Sequence, residues 1–140
     1  MTALDRISER VSRNGDPNDP LVPSPTLTLD EFFTGNDVVG SIAPNLFPTP
    51  EPAEVWEMLK TIEAKEEVNA IYIIVSAFDD ERWPFADSLR IVSSESLSTV
   101  QSYFPEHLAP DDFWLEGEEI RPREAIQIPE GTSVYVAWYD

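Results

Sequence analysis

Residues 70–78, with the sequence AIYIIVSAF, are an almost unbroken run of β-branched, aliphatic and aromatic side chains. Such a run is typical of a strand that is buried on both faces or nearly so. It therefore predicts the central strand of a sheet. A chain of 140 residues has room for one domain of this kind, and its apolar content of 41% is enough to build a core.

Local signals predict the helices around this strand. Thr28 and Glu31 have the spacing of a capping box, in which each side chain accepts a hydrogen bond from the backbone of the other residue. A short helix is therefore expected at 29–34, and Gly35 is expected to end it. Capping residues and apolar spacing further predict a helix at 51–66 after Thr49, a helix between Ser94 and Pro105, and one helical turn at 111–115.

The remaining strands are predicted from β-prone segments at 38–43, 88–92 and 133–139. Taken in order, the elements read β-α-β-β-α-β, which is the ferredoxin-like split βαβ pattern. The predicted fold is therefore a two-layer α+β domain with an antiparallel or mixed four-stranded sheet and two helices on one face. Three tyrosines are expected on the sheet face that the helices leave uncovered: Tyr72, Tyr135 and Tyr139.

Residues 1–25 are predicted to form a flexible N-terminal arm. Leu4, Ile7 and Val11 recur at helical spacing, so a short amphipathic helix is expected there. Residues 15–25 contain four prolines and no periodicity, which is typical of an extended linker. A single α+β domain is accordingly expected at 26–140.

The charge of the chain restricts its partners. It has 27 acidic and 9 basic residues and a net charge of −18. Three arginines and four acids lie in residues 1–25, so almost all of the excess belongs to the predicted domain. A negative potential of this size repels phosphate backbones and anionic lipid and speeds encounter with basic molecules. Direct binding of nucleic acid or of a membrane is therefore not expected.

The absence of cysteine excludes disulfides, thiolate metal sites and a cysteine nucleophile. Residues 1–14 have no apolar stretch of the kind that a signal peptide needs, and the run at 70–75 is too short to span a bilayer. A cytoplasmic protein is expected.

No catalytic motif or cofactor motif is present. His107 is the only histidine, and no G-x-S-x-G sequence accompanies it. The acidic clusters lack the spacing of a calcium loop, and the five glycines form no nucleotide-binding pattern. No cofactor is therefore expected, and the acids are too numerous for an adjacent pair to indicate acid–base chemistry.

Two aromatic segments embedded in acids resemble the apolar anchors of protein interfaces. The alternative is that these rings close the ends of a small core. The residues predicted to contact a partner are Asp79, Asp80, Glu81, Trp83, Phe85, Asp111, Asp112, Phe113, Trp114 and Glu116.

The leading hypothesis is a non-enzymatic acidic module that binds a basic protein, as an immunity or inhibitor protein or a regulatory subunit would. One alternative is an enzyme that uses carboxylates with a divalent cation. Another is a subunit of a larger assembly that docks through the N-terminal arm.

Overall fold

A five-stranded antiparallel sheet forms the centre of the computed structural model, which describes residues 1–140. The strands are β1 (Thr26–Thr28), β2 (Val68–Ala77), β3 (Phe85–Ser93), β4 (Asp112–Leu115) and β5 (Ser133–Trp138). Their order across the sheet is β1-β2-β3-β5-β4. The run at 70–78 forms most of β2, which pairs with β1 on one side and β3 on the other. The prediction of an α+β fold is confirmed, but the middle strand of the five is β3, and β2 lies beside it in the interior of the sheet.

Short helices cover one face of the sheet. They are α1 (Ala3–Val11), α2 (Leu29–Phe33), α3 (Pro52–Glu63) and α4 (Leu97–Ser102), and one 3-10 turn spans Glu106–Leu108. The predicted capping box of α2 is present: the Glu31 N–H donates to Thr28 Oγ1 at 3.2 Å, and the Thr28 N–H donates to the Glu31 carboxylate at 2.8 Å. Helix α2 thereby begins directly where β1 ends.

Gly35 follows α2 with a φ of +80°, a conformation that favours glycine. A Cβ atom at this position would also lie 2.5 Å from the Cβ of Ala3 in α1. The glycine therefore ends α2, as predicted, and also allows α1 to approach closely.

The helix-covered face of the sheet holds the main core. Strand residues such as Ile71, Leu89 and Tyr135 meet Phe32 of α2 and Leu59 of α3 there. The opposite face of the sheet is also buried at its centre, because Ile74, Arg90, Val92, Val134 and Val136 all have less than a tenth of their surface exposed. Burial on both faces explains why β2 reads as a continuous apolar run.

The segment that lies over this opposite face is residues 116–124, which we call the strap. The Ser24 N–H donates to the Pro122 carbonyl at 2.8 Å, and the Glu124 N–H donates to the Ser24 carbonyl at 3.1 Å. The Glu116 N–H donates to the Val134 carbonyl at 2.9 Å. The strap is thus held at both ends by backbone hydrogen bonds.

The expectation of a four-stranded ferredoxin-like sheet was wrong, because the sheet has five strands. Residues 38–43 are not a strand. Gly40 and Ala43 have φ values of +91° and +52°, which break an extended backbone, and only Ile42 makes an isolated bridge, to Ala86. The first strand is instead the short β1.

The helical turn expected at 111–115 was also wrong, because this segment is the edge strand β4 and pairs with β5. Successive side chains alternate between the two faces of the sheet, as in any strand: Phe113 enters the core, while Trp114 points to the opposite face.

Two helix-capping residues also differ from the prediction. Glu51, without a side-chain hydrogen bond, precedes α3 in place of Thr49, and Ser96 caps α4 in place of Ser94.

The predicted N-terminal arm packs against the rest of the chain. Ile7 and Val11 of α1 are buried in the main core. Beyond the helix, the Phe78 N–H donates to the Asn18 side-chain oxygen at 2.7 Å. The boundary near Thr26 stays a prediction, and these contacts give a direct way to test it.

Replacing Ile7 with alanine should lower the free energy of unfolding by about 2–4 kcal/mol, because the substitution leaves a cavity under α1. Urea denaturation of the full chain measures this value. Leu21→Ala is the matched control, since Leu21 is 85% exposed and its loss should change stability by less than about 0.5 kcal/mol. Equal stability of the two variants would show that residues 1–25 do not contribute to the folded domain.

Candidate functional site

The first predicted group of partner-contacting residues lies in the connection between β2 and β3. Asp79, Asp80 and Glu81 are exposed, and Phe85 is half-buried at the start of β3. Trp83 is only 3% exposed, and its indole N–H donates to the Phe32 carbonyl at 3.1 Å. The assignment of Trp83 as a contact anchor is therefore corrected, because its ring closes the core, as the alternative interpretation expected.

Together with the loop 38–41, these residues other than Glu81 line a cavity of about 380 Å³, which we call the acidic cleft. The loop is held by Asn36, whose side chain accepts from the Val38 N–H and donates to Ser41 Oγ, both at 3.0 Å. Val39 remains 45% exposed beside the cleft. The lining residues are Val38, Val39, Gly40, Ser41, Ala77, Asp79, Asp80, Arg82, Trp83 and Phe85.

One ion pair lies within the acidic cleft. Arg82 Nη2 is 2.6 Å from Asp80 Oδ2, and hydrogen bonds from the Arg82 side chain and backbone lower the pKa of Asp80 to about 2. Neither Asp79 nor Glu81 forms a salt bridge or a side-chain hydrogen bond. The cleft therefore combines apolar surface with the unpaired carboxylate of Asp79, while the unpaired carboxylate of Glu81 is exposed just outside the lining.

The second predicted group of partner-contacting residues, at 111–116, does not form one surface, because its members lie in different environments. Phe113 is buried, with its ring 6.0 Å from Phe104 and 6.2 Å from Tyr135, so its assignment as an anchor is corrected too. Asp111 and Asp112 are exposed at one end of β4. Asp111 accepts from the Asn45 side chain at 2.7 Å. Trp114 is half-buried on the opposite sheet face, and Glu116 belongs to the strap.

Two of the three tyrosines that were expected on the uncovered face are in the core. The Tyr135 hydroxyl donates to the Glu95 carbonyl at 2.6 Å, and the Tyr139 hydroxyl donates to the Leu108 carbonyl at 2.8 Å. Burial raises the pKa of Tyr139 far above its ordinary value. Only Tyr72 is partly exposed.

A network of ion-paired arginines and glutamates around the strap was not predicted from the sequence. Arg90 of β3 is 5% exposed, and it binds the Glu116 carboxylate with two hydrogen bonds of 2.6 and 2.7 Å. Arg123 lies 3.0 Å from Glu116 and 3.1 Å from Glu119. Two signals pointed to this network: a cation in the middle of an apolar strand, and the basic RPR sequence at 121–123 within an acidic segment.

The same network attaches α1 to the strap. Arg10 lies 2.8 Å from both Glu31 and Glu124, and it donates to the Thr26 carbonyl at 3.0 Å. Burial acts to raise the pKa of Glu124, but hydrogen bonds from Arg10, from the Thr26 N–H and from Asn14 outweigh it and lower that pKa. Glu124 thus joins α1, β1 and the strap.

The network changes where the excess charge lies. Its three arginines (Arg10, Arg90 and Arg123) pair with four glutamates (Glu31, Glu116, Glu119 and Glu124), so the network as a whole carries a formal net charge of only −1. The other residues of the protein therefore carry 17 of the 18 excess negative charges, and only six of these residues are basic.

His107 lies in a groove of about 670 Å³ between α3 and the segment that follows α4. Its Nε2 atom is 3.5 Å from Glu54. Ser102 lines the same groove, but its hydroxyl donates to the Thr99 carbonyl within its own helix. The structure shows no hydrogen bond between this serine and the histidine. No group of three or more histidines, aspartates or glutamates is close enough to hold a metal ion.

The fold and the site together define a small acidic α+β protein, with helices on one face of its sheet and an ion-paired strap on the other. The chain belongs to the family described as "Uncharacterized protein YfbO family", whose model matches residues 2–137. It is similar to "Uncharacterized protein YfbO" of Escherichia coli (strain K12), with 34% identity over 140 residues and complete coverage of both chains. No solved structure matches the chain. No helix is long and apolar enough to cross a membrane.

The lowered pKa of Glu124 predicts how acid affects stability. Below about pH 5 the unfolded state takes up a proton at this carboxylate before the folded state does, so stability falls as the pH drops toward the lowered pKa. Glu124→Gln should therefore be less stable at pH 7 and should lose less further stability between about pH 5 and pH 3. Melting temperatures across this range measure the effect.

The control for this prediction is Glu130→Gln, because Glu130 is exposed and forms no side-chain hydrogen bond. Its melting temperatures should follow those of the unmodified protein at every pH. A Glu124→Gln profile parallel to the unmodified one would contradict the role given to the Glu124 carboxylate.

Proposed function

We propose that this protein is a non-enzymatic acidic interaction module that binds a basic protein partner in the cytoplasm. An immunity or inhibitor protein and a regulatory subunit are the two roles that use this chemistry. The observation that carries the proposal is the separation of charge: three arginines that could neutralise surface acids are instead paired within a network whose net charge is only −1. The rest of the protein therefore presents almost all of the excess negative charge to a partner.

The acidic cleft is the proposed point of contact. Val39 and Phe85 offer apolar surface there, and Asp79 is an unpaired carboxylate in the lining. The unpaired Glu81 is exposed next to the lining residue Asp80 in the chain. Interfaces of high affinity combine an apolar centre with a charged rim, in which the charges speed association and the apolar contacts slow release. The buried indole of Trp83 and the Asn36 contacts keep this surface preformed.

The same charge distribution opposes direct binding of nucleic acid, because phosphate groups would approach a surface of the same sign. A basic partner that itself acts on nucleic acid would have its positive surface covered by this protein. That outcome is the mode of action proposed here for an inhibitor.

The test begins with a partner that is captured from lysate and purified, and the diagnostic measurement is its association rate with this protein. The rate should fall steeply between about 50 and 500 mM salt, because screening removes the steering. The double variant Asp79→Asn and Glu81→Gln should slow association by about fivefold. A partner without net positive charge, or a rate that is independent of salt, would refute the proposal.

A matched double variant separates the cleft from net charge alone. Glu118→Gln and Glu130→Gln remove the same charge from exposed positions away from the cleft. This control should slow association less than the cleft variant does. Equal effects would show that the partner does not contact the acidic cleft.

A further inference from the structure

A second concave site lies on the sheet face opposite the helices, beside the strap. It is a pocket of about 280 Å³, which we call the tryptophan pocket. Trp138 of β5 pairs with Ser88 of β3, and Trp114 of β4 pairs with Val136 of β5. Both tryptophans are half-buried, and Ile74 of β2 lies at the same pocket. The pocket thus has a broad apolar lining built on rigid strands.

Four charged side chains line this pocket, and only two of them neutralise each other. Glu119 and Arg123 are 3.1 Å apart. Asp87 forms no salt bridge, and its carboxylate accepts a single hydrogen bond, from the Ser88 hydroxyl at 2.9 Å. Arg121 has no carboxylate partner either, which sets it apart from the other arginines around the strap. One anion and one cation are therefore left without a counter-charge.

The hydrogen bonds of Arg121 show that its guanidinium is only partly satisfied. It donates to the carbonyls of Val22 at 2.9 Å, Ser76 at 3.0 Å and Pro17 at 2.7 Å. An arginine has five N–H donors, so two remain for another acceptor. The three carbonyls hold the side chain in place, and Arg121 lines the pocket.

We propose that the tryptophan pocket binds a free amino acid with a large apolar side chain. The ligand's carboxylate accepts from the two remaining donors of Arg121, and its ammonium group binds Asp87. Its side chain packs against Trp114, Trp138 and Ile74. The pocket volume suits one amino acid, because pockets for larger, drug-sized ligands usually begin at about 300 Å³.

The charges also discriminate against simpler ligands. A pure anion would have to approach a protein of net charge −18 and would leave Asp87 without a partner. A pure cation would face the unpaired Arg121. A zwitterion meets both charges, and its own net charge is zero. This inference does not rest on the proposed function, which concerns the acidic cleft.

The test is calorimetric titration of the full chain with L-phenylalanine, 3-phenylpropionate and phenethylamine. L-Phenylalanine should bind at one site per chain, and each of the other two should bind about tenfold more weakly, because each lacks one charge-assisted contact. The absence of L-phenylalanine binding at millimolar concentration would overturn the proposal. Equal binding of 3-phenylpropionate or of phenethylamine would overturn it as well.

Three variants locate the site. Asp87→Asn should weaken L-phenylalanine binding by about fivefold or more, and Trp138→Phe should weaken it by a smaller factor. The matched control is Trp56→Phe, which changes a tryptophan on α3 that stacks on Phe33, away from the pocket. This control should bind as the unmodified protein does. An equal loss in the Trp56→Phe variant, or no loss in Asp87→Asn, would place binding elsewhere and contradict the inference.

Discussion

The burial of the Arg90 guanidinium is the constraint on which the opposite sheet face depends. A charge in the middle of an apolar strand costs several kcal/mol unless carboxylates and carbonyls satisfy it. Glu116 supplies two charge-assisted hydrogen bonds, and the Glu124 carbonyl supplies a third at 2.9 Å. The strap must therefore lie across β3. Through Glu124 the same contacts bring in Arg10 of α1, so one buried charge links the N-terminal helix, the sheet and the strap.

This arrangement has electrostatic consequences for the surface. The network pairs three arginines that are then not available to surface acids, and its own net charge is only −1. The protein thus combines a nearly neutral ion-pair network with a strongly negative surface elsewhere. The acidic cleft and the tryptophan pocket differ in kind. The cleft has an unpaired carboxylate for a cationic partner, whereas the pocket has one unpaired charge of each sign for a small neutral zwitterion.

The parts of the fold that could be predicted from the sequence carry strong local signals. The capping box of Thr28 and Glu31 sets the start of α2, and the apolar runs set β2 and β5. The prediction was wrong at 38–43 and at 111–115. These segments have no clear preference for helix or strand, and their contacts with other segments decide their conformation. Asp112–Leu115 is extended because its backbone pairs with β5, and no property of these four residues alone requires a strand.

Amino-acid sequence by itself determined the apolar interior strand, the capped helix that follows β1, and the sign and size of the net charge, since each depends on composition or on neighbours along the chain. Tertiary structure alone decided which side chains are available to a partner. Trp83 and Phe113 lie beside acids in the sequence, yet their rings fill the core, while Asp87 and Arg121 come from distant segments and meet at one pocket. The physical reason is that burial and charge pairing depend on contacts between residues far apart in the chain.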